Sequence, residues 1–265
     1  MKYKIEKNTV QETLIIPLYA RKVCSELYPN LYRDETAVRL IDEIDYDFSE
    51  AEKKSHGLMQ RFGSLEVAMR QNDLAFEVRD YLKSHPNAAV VNLGCGLDST
   101  GRSCDNGSCK IYNLDFPDVI AVRNELLPAG EREKNISCDL NDTAWFSEID
   151  ASGGAVFFAS GVFYYFLTEQ VKALVQQMAD AFPGSVLVFD AANRTAVKMI
   201  AKTWLKSAKI KDVGAYFAVS DAPQEISAWD SRLQVTSRGY MLGYNDLKGP
   251  SIGGFFHFLA PVGWG

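Results

Sequence analysis

The chain has 265 residues, 47% of them hydrophobic and 23% charged, with a formal net charge of -6. This composition supports a large buried core and excludes the disordered and fibrous classes. The negative balance gives no basic footprint for nucleic acid or an anionic membrane, and no apolar run reaches the roughly 18 residues of a spanning helix.

The N-terminal "MKYKIEKNTV" lacks the apolar centre of a signal peptide, so a cytoplasmic location is expected. The five cysteines, Cys24, Cys95, Cys104, Cys109 and Cys138, are odd in number and lack paired CxxC spacing. That argues against a disulfide framework and a four-ligand zinc site, and no metal is expected. Cys104 and Cys109 flank "DNGS", compatible with a hairpin that oxidises or binds metal and with two reduced loop thiols.

In chain order, residues 8–28 carry apolar residues at helical spacing up to Pro17, where a break or kink is expected, and resume through Val23 and Leu27. Residues 34–44 and 64–86 repeat the amphipathic pattern, the second with Ser64 as N-cap and Pro86 as stop. Residues 1–86 are therefore expected to form a helical cap, followed by a core over 87–265. In that core, strand-length apolar runs at 88–93, 110–115, 135–139, 154–160 and 185–191 alternate with helical stretches at 118–127 and 168–183. Thr168 is the expected N-cap of the latter, with Pro183 and Gly184 closing it. Alternation of this kind means an α/β fold with a doubly wound parallel sheet, whose ligands bind at the carboxyl ends of the strands. A further strand is expected at "LQVTSRGYML" (233–242), and "GGFFHFLAP" (253–261) reads as a last strand or the helix before it. Met199, Trp204 and Phe217 are spaced as on a lid helix within an insertion around 192–232, or on an ordinary packed helix.

The first core strand runs into "VVNLGCGLDS". Gly94 and Gly96 permit positive φ and close approach of a ligand, and they also fit tight packing of helix on strand. The third glycine of the dinucleotide fingerprint is missing and Asp98 stands where a phosphate-binding helix would open, so a pyrophosphate is disfavoured. Asp115 ends the second strand, where a carboxylate accepts from ribose hydroxyls. Asp139 ends the third, placed to accept from an adenine amino group. Either acid alone also fits a turn former. Together with the glycines they outline a nucleoside pocket without phosphate.

The stretches "ETLIIPLYARK", "VVNLGCGLDS", "NLDFPDVI", "SCDL" and "ASGVFYYF" occur in an order and spacing, from about residue 8 to 191, that resembles class I S-adenosylmethionine-dependent methyltransferases. Within them the chain is similar to the leucine carboxyl methyltransferase-like group that includes the tetracenomycin polyketide O-methyltransferases. The resemblance implies a doubly wound, mostly parallel, seven-stranded Rossmann-like sheet and S-adenosyl-L-methionine as cofactor. It places Gly94 and Gly96 against the methionine portion, Asp115 on the ribose, and Asp139 and Leu140 on the adenine. It pairs Arg70 with the cofactor carboxylate, a match lysine would not reproduce; a solvated helix arginine is the plainer alternative. Arg21 or its neighbour Lys22 matches a basic residue of the cap that closes over the same carboxylate.

Departures from the pattern carry information too. The Asp-Thr-Arg and aromatic that usually follow the glycine turn are replaced by "DSTGRSCDNGSC", with Ser99 for the threonine. Ser160, counted among the cofactor-side residues, stands where the protein phosphatase methylating branch has a glutamate, which favours a small-molecule acceptor. The strand that usually follows the segment matching "FFHFLAPVGWG" is either elsewhere or lacking.

Methyl transfer from a sulfonium is an in-line displacement, so the enzyme's task is alignment and exclusion of water. A carboxylate acceptor is already ionised, whereas a phenol usually needs a base. His56, His85 and His257 are the histidines, and none falls in a strand-end motif. The expectation is therefore an O-methyltransferase acting on a carboxylate or phenol. Tyr164, Tyr165 and Arg194 are acceptor-side candidates, with core packing and a surface position as the ordinary readings. The rivals are a non-catalytic cofactor-binding protein of the same fold and an NAD-dependent dehydrogenase.

Overall fold

The computed structural model describes residues 2–6, 10–55, 57–200 and 216–239. A short strand β1 (Tyr3–Lys4) pairs in parallel with β2 (Ile44–Asp45), and between them lie α1 (Val10–Leu27) and α2 (Glu35–Glu43). α2 starts where Asp34 accepts from the Ala37 N–H at 2.8 Å, satisfying a first-turn donor. α3 (Ser49–Ser55) and α4 (Leu58–Ser84) complete the cap.

One expectation about these helices is narrowed and one is corrected. α1 runs through Pro17 without a break. Leu14, Ile15 and Leu18 before and after the proline pack with Leu40 and Ile41 of α2 and with Val119 and Val122 farther along; that burial outweighs one lost backbone bond. Ser64 is not an N-cap but lies fully buried inside α4, which begins after Gly57. Phe62 and Leu65 pack on Cys24 and Tyr28 of the α1 end and carry the helix past the serine.

The core follows as β3 (Ala89–Leu93), α5 (Thr100–Ser103), β4 (Lys110–Asp115), α6 (Pro117–Leu126), β5 (Glu133–Ser137), a 3-10 turn (Thr143–Glu148), β6 (Ala155–Ala159), a second 3-10 turn (Phe163–Tyr165), α7 (Thr168–Ala181), β7 (Val186–Phe189), α8 (Arg194–Ile200) and α9 (Ala222–Ser227). Thr168 is the first residue of α7 rather than its cap; Leu167 precedes it, its N–H held by the Gln170 side chain at 2.8 Å.

The five core strands are all parallel, in the order β5-β4-β3-β6-β7. β3 and β6 are buried along their whole length, as strands covered on both faces must be. Leu93 is in register with Ala159, so the chain leaves β3 and β6 side by side and turns to opposite sides. This is the point where strand order reverses, and divergent exits leave a crevice there.

Five strands stand where seven were expected, among the described residues. Residues 233–239 form no strand: Leu233 and Val235 pack against the main core and Arg238 pairs with Glu77 of α4 at 3.3 Å, so the segment crosses the helices instead of extending the sheet. The expected elements at 240–242 and 253–261, with Trp204 of the lid pattern, lie outside the described residues. Phe217 does not belong to a lid. It is buried in the main core, with ring centroids 6.4 Å from Phe163 and 6.1 Å from Phe189 and Trp229. Cys104 and Cys109 stand at the two ends of the loop between α5 and β4, both free and both buried against Leu74, Val78 and Ile111.

The position of Phe217 is testable. Phe217→Ala is expected to destabilise the protein by about 3–5 kcal/mol, the cost of emptying a core aromatic site, measured by urea unfolding; a lid residue would leave stability nearly unchanged.

Candidate active site

The turn after β3 is built around two left-handed residues, Gly94 with φ +68° and Gly96 with φ +46°. A side chain at 94 is excluded by space as well: an added Cβ would lie 2.6 Å from Cγ2 of Val162, just beyond β6. At 96 it would lie 3.2 Å from Leu14 of α1, so the cap reaches the turn directly. The Cys95 N–H donates to the Leu114 carbonyl at 2.9 Å, stitching the turn to β4.

Buried side chains hold this turn from beneath. Arg123 of α6, almost fully buried, donates from Nη1 to the carbonyls of Gly96 at 2.9 Å and Asp98 at 2.8 Å, and from Nε to Asn135 at 3.2 Å. Arg21 donates to the Leu97 carbonyl at 3.0 Å, with Nη1 at 3.2 Å from Asp34 and 3.7 Å from Asp98. Lys22, its competitor in the sequence reading, is paired instead with Glu26 at 2.8 Å. The Asp98 carboxylate accepts from the Thr100 N–H and Oγ1, both at 2.7 Å, and from Asn92 Nδ2 at 3.1 Å. A short helix does open there, but its N-terminus is filled by the protein's own carboxylate. An incoming phosphate would meet like charge.

Asp115 ends β4 as expected. One carboxylate oxygen accepts from the Gly96 N–H and the other from the Phe116 N–H, each at 2.8 Å. Each oxygen retains a lone pair for a ligand hydroxyl. Burial raises the pKa of this carboxyl, against the pull of those two N–H groups and of Arg123. Asp139 lies exposed beyond β5, with Oδ1 accepting from the Asn141 N–H and side-chain amide at 2.9 Å. Its neighbour Leu140 is turned into the core rather than outward. Between the two acids, burial pushes the Cys138 thiol up to about 12, and the Cys95 thiol is raised by burial as well. Neither is a thiolate at neutral pH.

A second cluster sits at the ends of β6 and β7. Arg70, reaching across from α4, donates from Nε to Ser160 Oγ at 3.0 Å and from Nη1 to Asp190 Oδ2 at 3.2 Å. The Gly161 N–H donates to the other Asp190 oxygen at 2.6 Å. Arg70 is thus no solvated helix arginine. Tyr165 lies on the exposed side of this cluster; surrounding protein raises its pKa, with Arg70 lowering it and Asp190 raising it. Tyr164 is buried against Ala192, Ala196 and Val197, a packed aromatic. Arg194 is exposed at the start of α8 and joins neither cluster among the contacts of the described residues.

Three participants escaped the sequence reading. Arg123 is spaced i+4 from Val119 and i−3 from Leu126, on the apolar stripe of its helix, which was a signal of burial. Asn92, a polar residue inside an otherwise apolar strand, was another. Asp190 directly follows β7, which ends at Phe189, and carried a positional cue close to that of Asp115 at the end of β4. Removing Arg123 takes the donor from the buried Asp98 carbonyl and the half-buried Gly96 carbonyl. Arg123→Leu is expected to cost about 1–3 kcal/mol for each orphaned carbonyl, read by urea unfolding; a loss below about 0.5 kcal/mol, the range of an ordinary surface change, would refute its role under the turn.

Residues 16–179, more than half of the chain, match the family model described as leucine carboxyl methyltransferase. Among curated proteins the chain is 27% identical over 183 residues to the tetracenomycin polyketide synthesis O-methyltransferase TcmP of Streptomyces glaucescens, covering 69% of this chain and 66% of that one, just under two thirds of its length. It is 24% identical over 258 residues to the S-adenosyl-L-methionine-dependent methyltransferase dpfgK of Gibberella zeae, covering 91% of this chain and 85% of that one. Among solved structures, a candidate methyltransferase from Thermobifida fusca shares the fold with a TM-score of 0.50 at 21% identity, over 79% of this chain and 78% of that one. The matched span includes the glycine turn and the acid ending β4, and the chain is a member of the leucine carboxyl methyltransferase family.

Proposed function

We propose that the protein is an S-adenosyl-L-methionine-dependent O-methyltransferase acting on a small molecule, with a carboxylate as the preferred acceptor and a phenol as the alternative. The observation that carries the reading is Asp115, held at a strand end by the Gly96 and Phe116 N–H groups with lone pairs left for two ribose hydroxyls. The family match and the names of the two curated relatives support the donor and the oxygen acceptor.

The strand ends suit this cofactor chemically. Asp98 closes the N-terminus of α5 to phosphate, which argues against a dinucleotide, while a sulfonium cation is stabilised rather than repelled near Asp98 and Asp115. Arg70 is the basic group for the amino-acid carboxylate, Gly94 and Gly96 border its methionine portion, and Asp139 is the acceptor for the adenine. Arg21 takes a different part from the one the resemblance implies: it braces the turn from α1.

When bound, S-adenosyl-L-methionine supplies an electrophilic methyl that is displaced in line onto the acceptor oxygen. The chain's residues bind, orient and exclude water. The histidine among the described residues, His85, is exposed at the end of α4 and stacked on Tyr81 with ring centroids 4.3 Å apart. The Cys95, Cys138 and Tyr165 groups are all raised in pKa. No thiolate or phenolate base stands ready at these positions, which favours an acceptor already ionised at neutral pH. Tyr165, beside Arg70, is the acceptor-side residue this arrangement favours, and the segment around 192–232 with the cap before residue 86 is where acceptor specificity belongs.

Calorimetric titration with S-adenosylmethionine and S-adenosylhomocysteine tests the reading, and binding of neither would sink it. Asp115→Ala is expected to weaken S-adenosylhomocysteine about tenfold or more, ~1.4 kcal/mol, without unfolding the protein. A pH dependence follows from the raised pKa of Asp115. Hydrogen bonds from ribose hydroxyls favour the ionised carboxylate, so binding drives off the proton. Affinity is therefore expected to fall on acidification, beginning above the ordinary carboxylate range, and Asp115→Asn should flatten that part of the profile.

A further inference from the structure

We propose that Asp190 is a positioning residue, which holds the Arg70 guanidinium at the edge of the sheet so that Arg70 can recognise the α-carboxylate of the cofactor. This deepens the proposed function and rests on it. Arg70 belongs to α4, yet its head group lies at the ends of β6 and β7, with the side chain only 16% exposed. A buried guanidinium without a counter-charge would turn out to solvent or destabilise the fold. Ser160 accepts from Nε at 3.0 Å but is neutral. Asp190, itself 7% exposed, supplies a counter-charge through Nη1 at 3.2 Å.

The geometry around this pair is constrained from both sides. The second oxygen of Asp190 accepts from the Gly161 N–H at 2.6 Å. Gly161 has φ +70°, and an added Cβ there would lie 2.8 Å from both terminal nitrogens of Arg70. The guanidinium thus lies flat on the residue whose amide Asp190 anchors, and one carboxylate fixes both the cation and the backbone beneath it. Asp190 engages Arg70 through one oxygen on one nitrogen, while its other oxygen serves the backbone. An arginine pre-set in this way has less rotamer freedom to lose on binding.

Ligands with and without the amino-acid portion separate this role from a merely structural one. Asp190→Asn keeps an acceptor for the Gly161 N–H while removing the charge. By calorimetric titration, Asp190→Asn is expected to weaken S-adenosylhomocysteine about tenfold or more and to leave 5′-methylthioadenosine, which lacks the carboxylate, unchanged. In an Arg70→Gln background the same substitution should add nothing further. Equal loss of both ligands, unchanged or tighter binding of S-adenosylhomocysteine, or a further loss in the Arg70→Gln background would each overturn the assignment. Failure of the unsubstituted protein to bind either ligand would instead overturn the proposed function, and this assignment with it.

Discussion

The site depends on Arg123. A turn that contains two left-handed glycines leaves its carbonyls without partners in the sheet, and the guanidinium beneath it takes two of them, those of Gly96 and Asp98. Such bonds to a charged donor are each worth about 1.5–3 kcal/mol, more than a neutral pair. The same side chain reaches Asn135 on β5, so the turn is tied to the far side of the sheet. The N–H groups on its other side are thereby oriented, and Gly96 can donate to Asp115. A loop that carries a ligand would otherwise be among the softest parts of a fold.

Arg21 couples the cap to the same turn. It sits between Asp34 and Asp98 and donates to the Leu97 carbonyl, while Tyr32 donates to Gln71 at 2.7 Å and links α4 to the network. Burying this much charge is costly even with these partners in place, and the buried Arg21 Nε has none among the described residues. Leu14 over Gly96 adds an apolar contact to the polar ones. The cap is therefore tied to the glycine turn by charge and by packing.

The distribution of charge also decides between ligand classes. Nucleotide-binding turns expose helix N–H groups to phosphate. Here Asp98 occupies that position and Asp115 lies beside the turn, an acidic setting that disfavours phosphate. Arg70 and Asp190 form a separate, balanced pair at the ends of β6 and β7, leaving the acidic character of the β3–β4 side uncompensated by it.

Much of this was legible in one dimension, because it depends on period and spacing. The β-rich runs, the parallel order they imply, the glycines where φ is positive and the acid ending β4 are local features, and local features leave local traces. Asp139 was placed less well: it was read as the end of the third strand, but β5 stops at Ser137 and Asp139 lies in the turn beyond it. Errors arose where tertiary contacts overrode local rules: Pro17 stays in a helix because both halves of α1 are buried, Ser64 is passed because Phe62 and Leu65 pack. Phe217 sits in the core because Phe163 and Trp229 surround it. By itself, then, the sequence determined the fold class, the glycine turn and the acid that ends β4. Only the tertiary structure decided that Arg123 and Arg21 brace that turn and that Arg70 meets Asp190, because these partners lie tens of residues apart and a side chain's reach across a core has no signature in sequence spacing.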